Sequence, residues 1–238
     1  MITQSSIREN LQDVRQRIAG AAKRAGRSPE EITLIAVSKT HPAEAIREAY
    51  QAGVRHFGEN RVQEWEAKHG SVRELPATWH LVGHLQSNKA ARAAGLFGSV
   101  DSLDDYALAQ RLDRARSEIA ASAKLRVLIE VRVEQEAAKS GVEITGLPEL
   151  AEKIVELPRL ELAGLMCIPP LFENIEMVRP YFRRLRELRD DLQTQLGRAL
   201  PVLSMGMSHD FEVAIEEGAT EIRVGTALFG QREVKRVK

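Results

Sequence analysis

Short apolar or β-branched runs alternate with amphipathic stretches along the whole chain, and this alternation limits the folds that it can adopt. Eight runs occur, at residues 33–37, 55–57, 79–82, 99–101, 125–133, 160–166, 202–205 and 221–224. Between them apolar residues recur at helical spacing, as they do from Val178 to Leu196. Strand followed by helix, repeated without interruption, predicts an α/β protein with a parallel sheet.

The number and length of these units favour a closed barrel. Dividing 238 residues by eight gives about 30 residues per unit, which suits a (β/α)8 barrel of roughly 250 residues. The alternative is an open doubly wound sheet, which carries a glycine-rich phosphate loop after its first strand. The segment at 37–42 reads VSKTHP and has no glycine. We therefore predict a single (β/α)8 TIM barrel.

Two further expectations concern the organisation of the chain. A helix at residues 5–25 precedes the first strand, and we expect this extra N-terminal helix to cover the bottom of the barrel. No stretch rich in proline, serine or glycine divides the sequence. Residues 1–238 are therefore predicted to form one domain.

The composition excludes several classes of protein. The chain has 34 Lys and Arg residues against 34 Asp and Glu residues, whereas nucleic-acid binding needs a surplus of clustered positive charge. The single cysteine, Cys167, cannot form an intramolecular disulfide and is typical of a reducing compartment. No apolar run approaches the ~20 residues that span a bilayer. We expect a cytoplasmic protein with neither a membrane nor a nucleic-acid partner.

Lys39 is the first candidate for chemistry, because active sites of (β/α)8 barrels form at the carboxyl ends of the strands. It follows an apolar run at 34–37. A lysine stem that emerges from the barrel interior is desolvated, which lowers the pKa of its ammonium group and lets the amine form a Schiff base. The alternative is a structural lysine paired with Glu59, after the second strand.

A phosphate site is expected at the same rim. Segment 204–208 reads SMGMS and ends in Ser208, a good N-cap for the next helix, whose N–H groups and dipole would attract an anion. Gly225 and Thr226 follow the eighth strand and add a permissive turn with a hydroxyl donor. Barrels of this kind commonly hold phosphate in these two loops. The alternative is that the residues only cap helices and form turns.

Arg223 and two histidines complete the set of candidates. Arg223 shares a strand face with Gly225 because side chains alternate along a strand, so its guanidinium is expected to point inward toward a ligand. In the alternative it points outward and pairs with a carboxylate such as Glu221. His80 and His84 could suggest zinc, but no helix joins them and no third ligand is evident. We predict no metal site.

Six of these segments also carry a family resemblance. They read AVSKT at 36–40, GEN at 58–60, WHLVGHLQSNK at 79–89, GLM at 164–166, SMGMS at 204–208 and IRVGT at 222–226. Together they resemble the pyridoxal 5′-phosphate (PLP) homeostasis proteins, which are similar to the N-terminal barrel domain of alanine racemase. The resemblance covers nearly the whole chain and implies PLP as the cofactor.

The resemblance also implies a role for each site residue. The residues that would bind PLP are Lys39 as the Schiff-base lysine, Asn60 and Met166 along the ring, Arg223 at the pyridine nitrogen, and Ser208, Gly225 and Thr226 at the phosphate. No catalytic residue is implied.

A carrier is expected rather than an enzyme. An arginine cannot accept a proton, so it leaves the pyridine nitrogen unprotonated and PLP a weaker electron sink. Alanine racemase also uses a second base, a tyrosine from a further domain of a partner subunit. Here Tyr50, Tyr106 and Tyr181 fall in predicted helices rather than at strand ends. We expect a monomer that serves vitamin B6 homeostasis by holding PLP and supplying it to apo forms of PLP-dependent enzymes. The alternatives are a PLP-dependent amino-acid racemase and a Schiff-base aldolase for a phosphosugar.

Overall fold

The computed structural model describes residues 6–119, 123–133 and 140–230, and nine strands lie within these ranges. They are β1 (Thr33–Val37), β2 (His56–Glu59), β3 (Thr78–Leu81), β4 (Ser99–Leu103), β5 (Leu125–Arg132), β6 (Val142–Glu143), β7 (Leu160–Met166), β8 (Val202–Met207) and β9 (Glu221–Val224). The eight predicted runs correspond to β1–β5 and β7–β9, and their boundaries differ by at most two residues. The two-residue β6 was not predicted.

The strands close into a parallel barrel. Neighbouring strands pair in the order β1, β2, β3, β4, β5, β7, β8 and β9, and β9 pairs with β1 again. The β4–β5 pair, in which Val100 lies opposite Val127, joins the two ends of the sheet. β6 pairs with β5 and stands outside this ring. The predicted (β/α)8 barrel is confirmed, and all eight of its strands end at one rim.

Helices surround the barrel. Within the described ranges the α-helices are α1 (Ile7–Arg24), α2 (Ala43–Gln51), α3 (Val62–His69), α4 (Ala90–Leu96), α5 (Tyr106–Glu118), α6 (Leu147–Val155), α7 (Arg179–Leu196), α8 (Phe211–Glu216) and α9 (Thr226–Phe229). Of the helices in this part of the chain, none has the length and apolar character needed to cross a membrane.

The N-terminal helix α1 is present, but it takes a different place from the one predicted. Ser6 and Glu9 form a capping box at its start, while Ser5 lies outside the described residues. The helix packs against α8, α9 and α2 on the side of the barrel, not across its bottom. The reason is that α9, after the last strand, has only four residues. The longer α1 completes the outer layer of helices between α8 and α2.

The main apolar core lies between the barrel and its helices. Trp65 of α3 stacks on Trp79 of β3 with ring centroids 3.9 Å apart, and Phe57 of β2 stacks on Trp79 at 5.0 Å. All three rings are buried. Fully burying one large apolar side chain contributes about 1.5–3 kcal/mol, so this layer is the main source of stability.

The interior of the barrel, in contrast, contains buried polar groups where branched aliphatic layers are usual. Arg126 of β5 donates to Glu221 Oε1 of β9 at 2.6 Å and to Ser99 Oγ at 3.1 Å. Because β5 and β9 are not neighbours in the ring, the contact between Arg126 and Glu221 crosses the interior. His80 Nδ1 lies 3.0 Å from Asp101 Oδ2 in the same group. The guanidinium of Arg126 therefore offsets the negative charges of two buried carboxylates, those of Glu221 and Asp101.

His56 extends this polar group toward the amino-terminal end of the barrel. Its Nδ1 lies 3.1 Å from Nε2 of His80. Burial lowers the pKa of His56 to about 4, and the neighbouring His80 and Arg126 act in the same direction. The ring is therefore neutral at neutral pH, and protonating it in the folded protein is unfavourable.

We predict that His56 makes the fold sensitive to acid. An unfolded chain protonates histidine near a pKa of about 6.5, whereas the pKa of His56 in the fold is about 4. Between these values the unfolded state binds more protons, so the free energy of unfolding should fall by roughly 1–2 kcal/mol as the pH decreases from about 6.5 to 4. Urea unfolding of the wild type and His56→Asn at about pH 7 and pH 4.5 measures the difference. An equal loss in both proteins would contradict it.

β7 passes β8 too closely at Gly164 for any larger residue. Gly164 lies opposite Val202, and a Cβ at this position would stand 1.9 Å from the carbonyl oxygen of Val202. That oxygen belongs to the sheet backbone and cannot move aside without disturbing the pairing of the two strands. The glycine of the GLM segment is therefore a requirement of barrel packing.

A pair of glycine substitutions tests this close approach. Gly164→Ala should lower the free energy of unfolding by about 3 kcal/mol because the Cβ clashes with backbone. Gly95→Ala, in α4, should raise it by about 0.5–1 kcal/mol, since alanine favours a helix and no atom lies within 4 Å of the added Cβ. Thermal unfolding of both variants beside the wild type gives the comparison. A Gly164→Ala protein with an unchanged Tm would refute the packing argument.

Candidate functional site

A cavity of about 430 Å³ opens at the carboxyl ends of the strands, within the range of about 300–1,000 Å³ usual for small-molecule sites. It brings together six of the seven predicted residues, namely Lys39, Asn60, Ser208, Arg223, Gly225 and Thr226. The rest of its wall, which was not predicted to bind a ligand, is formed by Val37, Val82, Gly83, His84, Ile168, Met207 and His209. The cavity lies at the rim where the sequence places the chemistry.

Met166 is the predicted residue that does not form part of the cavity wall. It is fully buried at the end of β7 and packs with Leu128 and Ala163. Ile168, two residues further on, lines the cavity. Ile168 lies beyond the end of β7, so the alternation of side chains along that strand did not single it out. The role of Met166 beside a ligand stays a prediction.

Lys39 lies in the turn between β1 and α2 and lines the cavity. The next residue, Thr40, has a φ of +65°, a conformation that β-branched residues rarely adopt. Glu59, the partner considered for Lys39, is buried and forms an ion pair with Lys68 of α3, with 2.7 Å between Nζ and Oε1. The lysine predicted from the sequence therefore stands on the wall of the cavity, in a constrained turn.

Ser208 does not cap the helix that it was predicted to cap. The N-cap of α8 is Asp210, whose Oδ1 accepts a hydrogen bond from the Met207 N–H at 2.6 Å. Asp210 therefore takes the N-cap position that was predicted for Ser208, while an anion site beside Ser208 stays a prediction. The sequence offers two capping residues close together, and the backbone turns through residues 208–210 before the helix begins.

The Ser208 hydroxyl instead joins the loops after β8 and β9. Its oxygen accepts hydrogen bonds from the N–H groups of Gly225 and Ala227, both at 3.2 Å. A serine oxygen has two acceptor positions and carries one proton. Because both acceptor positions are used, the hydroxyl proton is the group that Ser208 can offer to the cavity. Such a donor suits an anionic oxygen, and Thr226 adds a second hydroxyl-bearing side chain to the same wall.

Arg223 points into the barrel, as the strand pattern predicts. Arg223 is only 4% exposed, and its Nη atoms donate to Ser204 Oγ and to the carbonyl oxygen of Cys167, both at 2.8 Å. The alternative pairing with Glu221 is wrong, since Glu221 binds Arg126 across the barrel. A guanidinium has five N–H groups, so further donors remain for a hydrogen-bond acceptor in the cavity.

Burial shifts the pKa of two groups close to Arg223. Burial raises the pKa of Glu130, whereas a hydrogen bond from Ser140 and the positive charge of Arg223 act in the opposite direction. Burial also raises the pKa of Cys167 to about 12. The Cys167 thiol therefore stays protonated at neutral pH and is a poor nucleophile.

The two histidines considered for zinc have different surroundings. His80 is buried inside the barrel, whereas His84 lies at the cavity and is exposed. Across the described ranges, one group of possible ligands, formed by His80, Asp101 and Glu221, has atoms within 4.8 Å of one another. Arg126 already donates to Glu221 in this group. Its guanidinium supplies the positive charge that the buried carboxylates require.

The comparisons with known proteins agree on one family. Residues 2–233 match the family model described as alanine racemase, N-terminal domain. The pyridoxal phosphate homeostasis protein of Aquifex aeolicus (strain VF5) is 50% identical over 227 residues, which cover 94% of this chain and 98% of that protein. The chain belongs to the pyridoxal phosphate homeostasis protein family. The family member of Escherichia coli (strain K12) is 45% identical over 234 residues and covers 96% of this chain.

Solved structures show the same barrel. PipY of Synechococcus elongatus PCC7942, determined with PLP bound, has a TM-score of 0.80 and 43% identity, covering 90% of this chain and 100% of that one. An alanine racemase of Clostridium difficile 630 has a TM-score of 0.72 and 14% identity, and it matches over 59% of its own length. At that identity the racemase shows likeness of fold alone.

For this member of the pyridoxal phosphate homeostasis protein family, we predict that the cavity binds inorganic phosphate through Ser208. Ser208→Ala should weaken phosphate binding about tenfold, because a hydrogen bond to a charged group contributes about 1.5–3 kcal/mol. Ser87→Ala changes an exposed serine that does not line the cavity and is the matched control. Isothermal titration of the three proteins with phosphate gives the affinities. Equal affinity of Ser208→Ala and the wild type would remove Ser208 from the site.

Proposed function

We propose that this protein binds pyridoxal 5′-phosphate as a Schiff base on Lys39 and takes part in intracellular PLP homeostasis. The names of its relatives and the PLP bound to PipY support this cofactor. The observation that carries the proposal is a single cavity with a lysine, a donating serine hydroxyl and a buried arginine on its wall, contributed by Lys39, Ser208 and Arg223.

The polar groups of PLP have matching groups in this cavity. Lys39 supplies a primary amine, which condenses with an aldehyde and releases water. Ser208 donates to the phosphate, with the turn at Gly225 and Thr226 beside it, and Arg223 donates to the pyridine nitrogen. PLP supplies a reactive aldehyde, which its attachment to the lysine keeps masked. The chain therefore provides a partner for the aldehyde, the phosphate and the pyridine nitrogen of PLP.

The loops after β2 and β3 form the side of the cavity next to the ring. A Cβ at Gly83 would stand 2.4 Å from the carbonyl oxygen of Asn60, so these two loops are packed backbone to backbone. This packing fixes the position of Asn60 on the cavity wall. We place Asn60 along the ring of PLP, and Met166 in the buried layer at the end of β7.

The arginine favours a carrier over an enzyme. Arg223 is a permanent cation that cannot accept a proton, so PLP bound to it keeps an unprotonated pyridine nitrogen and withdraws electrons weakly. Racemisation would also need a second base such as a tyrosine. Tyr50, Tyr106 and Tyr181 lie in the helices α2, α5 and α7 and not at the carboxyl ends of the strands. We propose a monomer whose residues 1–238 act as one domain, which holds PLP without robust catalysis and supplies it to apo forms of PLP-dependent enzymes.

Substitution of Lys39 tests the covalent attachment. The wild type loaded with PLP should show an imine absorbance band, and borohydride reduction with peptide mass mapping should find the pyridoxyl adduct on Lys39. Lys39→Ala should lose the adduct at residue 39 but retain PLP, because the phosphate site is intact. Lys23→Ala, which changes an exposed lysine of α1, should behave as the wild type. A wild type without an adduct on Lys39 would refute the Schiff-base assignment.

Proton exchange separates the carrier from the racemase that was considered as the alternative. The PLP-loaded protein in deuterated water should exchange the α-proton of L-alanine no faster than an equal concentration of PLP alone. The reason is the weak electron withdrawal of a cofactor paired with Arg223. Proton NMR of alanine follows the exchange, and chiral chromatography follows D-alanine. Rapid exchange with formation of D-alanine would favour the racemase.

A further inference from the structure

The turn that carries Lys39 requires support from outside its own residues. It runs from Ser38 to His41 and closes with a hydrogen bond from the His41 N–H to the Ser38 carbonyl oxygen, at 3.1 Å. Thr40, directly after Lys39, adopts a positive φ of +65°. A β-branched residue in this region is strained, and such conformations persist only where surrounding contacts enforce them. The neighbouring structure therefore has to hold the turn in place.

Lys68 of α3 supplies that support. Its Nζ donates to the carbonyl oxygens of Ser38 at 2.8 Å and His41 at 3.3 Å, which are the two ends of the turn. The same atom lies 2.7 Å from Oε1 of Glu59. An ammonium group has three N–H donors, and here three acceptors surround it. The Lys68 side chain is only 14% exposed, so these bonds replace its contacts with water.

Glu59 contacts both Lys68 and the first residue of the turn, Ser38. It is fully buried at the end of β2, and its Oε1 also accepts a hydrogen bond from the Ser38 hydroxyl at 2.6 Å. Its Oε2 has no hydrogen-bond partner among the described residues. Burying an ion pair is costly and seldom stabilises a fold more than apolar residues of the same size. A stability role alone therefore does not account for a Lys68–Glu59 pair at this place.

We propose that Lys68 and Glu59 form a positioning pair that fixes the turn at residues 38–41, so that the amine of Lys39 is presented to the cavity. Lys68 acts on the backbone on both sides of Lys39, and Glu59 fixes Lys68 and Ser38. The chemical consequence rests on the proposed function, because it concerns the reaction of Lys39 with PLP. The positioning of the turn is a property of the chain without PLP.

Hydrogen exchange tests the positioning without any ligand. Lys68→Met alone would leave a buried carboxylate without its cation, so the informative protein is the double variant Lys68→Met with Glu59→Gln, which removes both charges. Amides of residues 38–41 should exchange about tenfold faster in this variant, because the turn loses bonds to a charged donor. Lys23→Met is the control and should leave their exchange unchanged. Unchanged exchange in the double variant would overturn the proposal.

The rate of reaction with PLP tests the consequence. In the double variant, the imine band and the borohydride-trapped adduct on Lys39 should form about tenfold more slowly, whereas the affinity for inorganic phosphate should stay that of the wild type. Equal losses of rate and phosphate affinity would indicate general disruption and would overturn the positioning role. A wild type that forms no adduct on Lys39 would refute the proposed function, while the exchange experiment would still decide whether the pair fixes the turn.

Discussion

Closure of the parallel sheet into a ring, in which the last strand β9 pairs with β1 and β4 pairs with β5, is the constraint on which the rest of this structure depends. In a closed ring of parallel strands every strand ends at the same rim, so the turn after β1, the loop after β8 and the turn after β9 meet around one space. Lys39, Ser208 and Arg223 are far apart in the sequence and share a cavity wall because β1, β9 and β8 are neighbours in this ring. An open sheet with β1 at one edge and β9 at the other would separate Lys39 from Arg223.

The same closure determines how charge is distributed inside the molecule. The apolar core lies between the strands and the helices, so the enclosed space within the ring can contain polar groups. Inside the barrel Arg126 binds Glu221 of the opposite side. At the rim Arg223 binds Ser204 and the Cys167 carbonyl oxygen. Each buried guanidinium has acceptors on other strands, which offset the cost of removing it from water. The wall of the rim cavity therefore contains a buried guanidinium that is held by two hydrogen bonds.

Sequence reasoning succeeded where a local pattern had a single outcome. Alternation along β9 placed Arg223 inside, and the apolar run before Lys39 placed that lysine at the rim. It failed where two neighbouring side chains could both cap the same helix. Asp210 rather than Ser208 caps α8, and Ser208 binds the backbone after β9. The position of α1 could not be predicted either, because it depends on the shortness of α9, at the other end of the chain.

The sequence by itself determined the order and approximate bounds of the strands, the barrel and the family, because hydrophobic spacing and short motifs are properties of neighbouring residues. Only the tertiary structure decided which partners the polar groups have. Lys68 and Glu59 are brought together beneath the turn of Lys39 by the packing of α3 on the barrel. Ser208 becomes a donor because two amides from another loop use its acceptor positions. Such contacts join residues distant in the chain, and no local pattern encodes them.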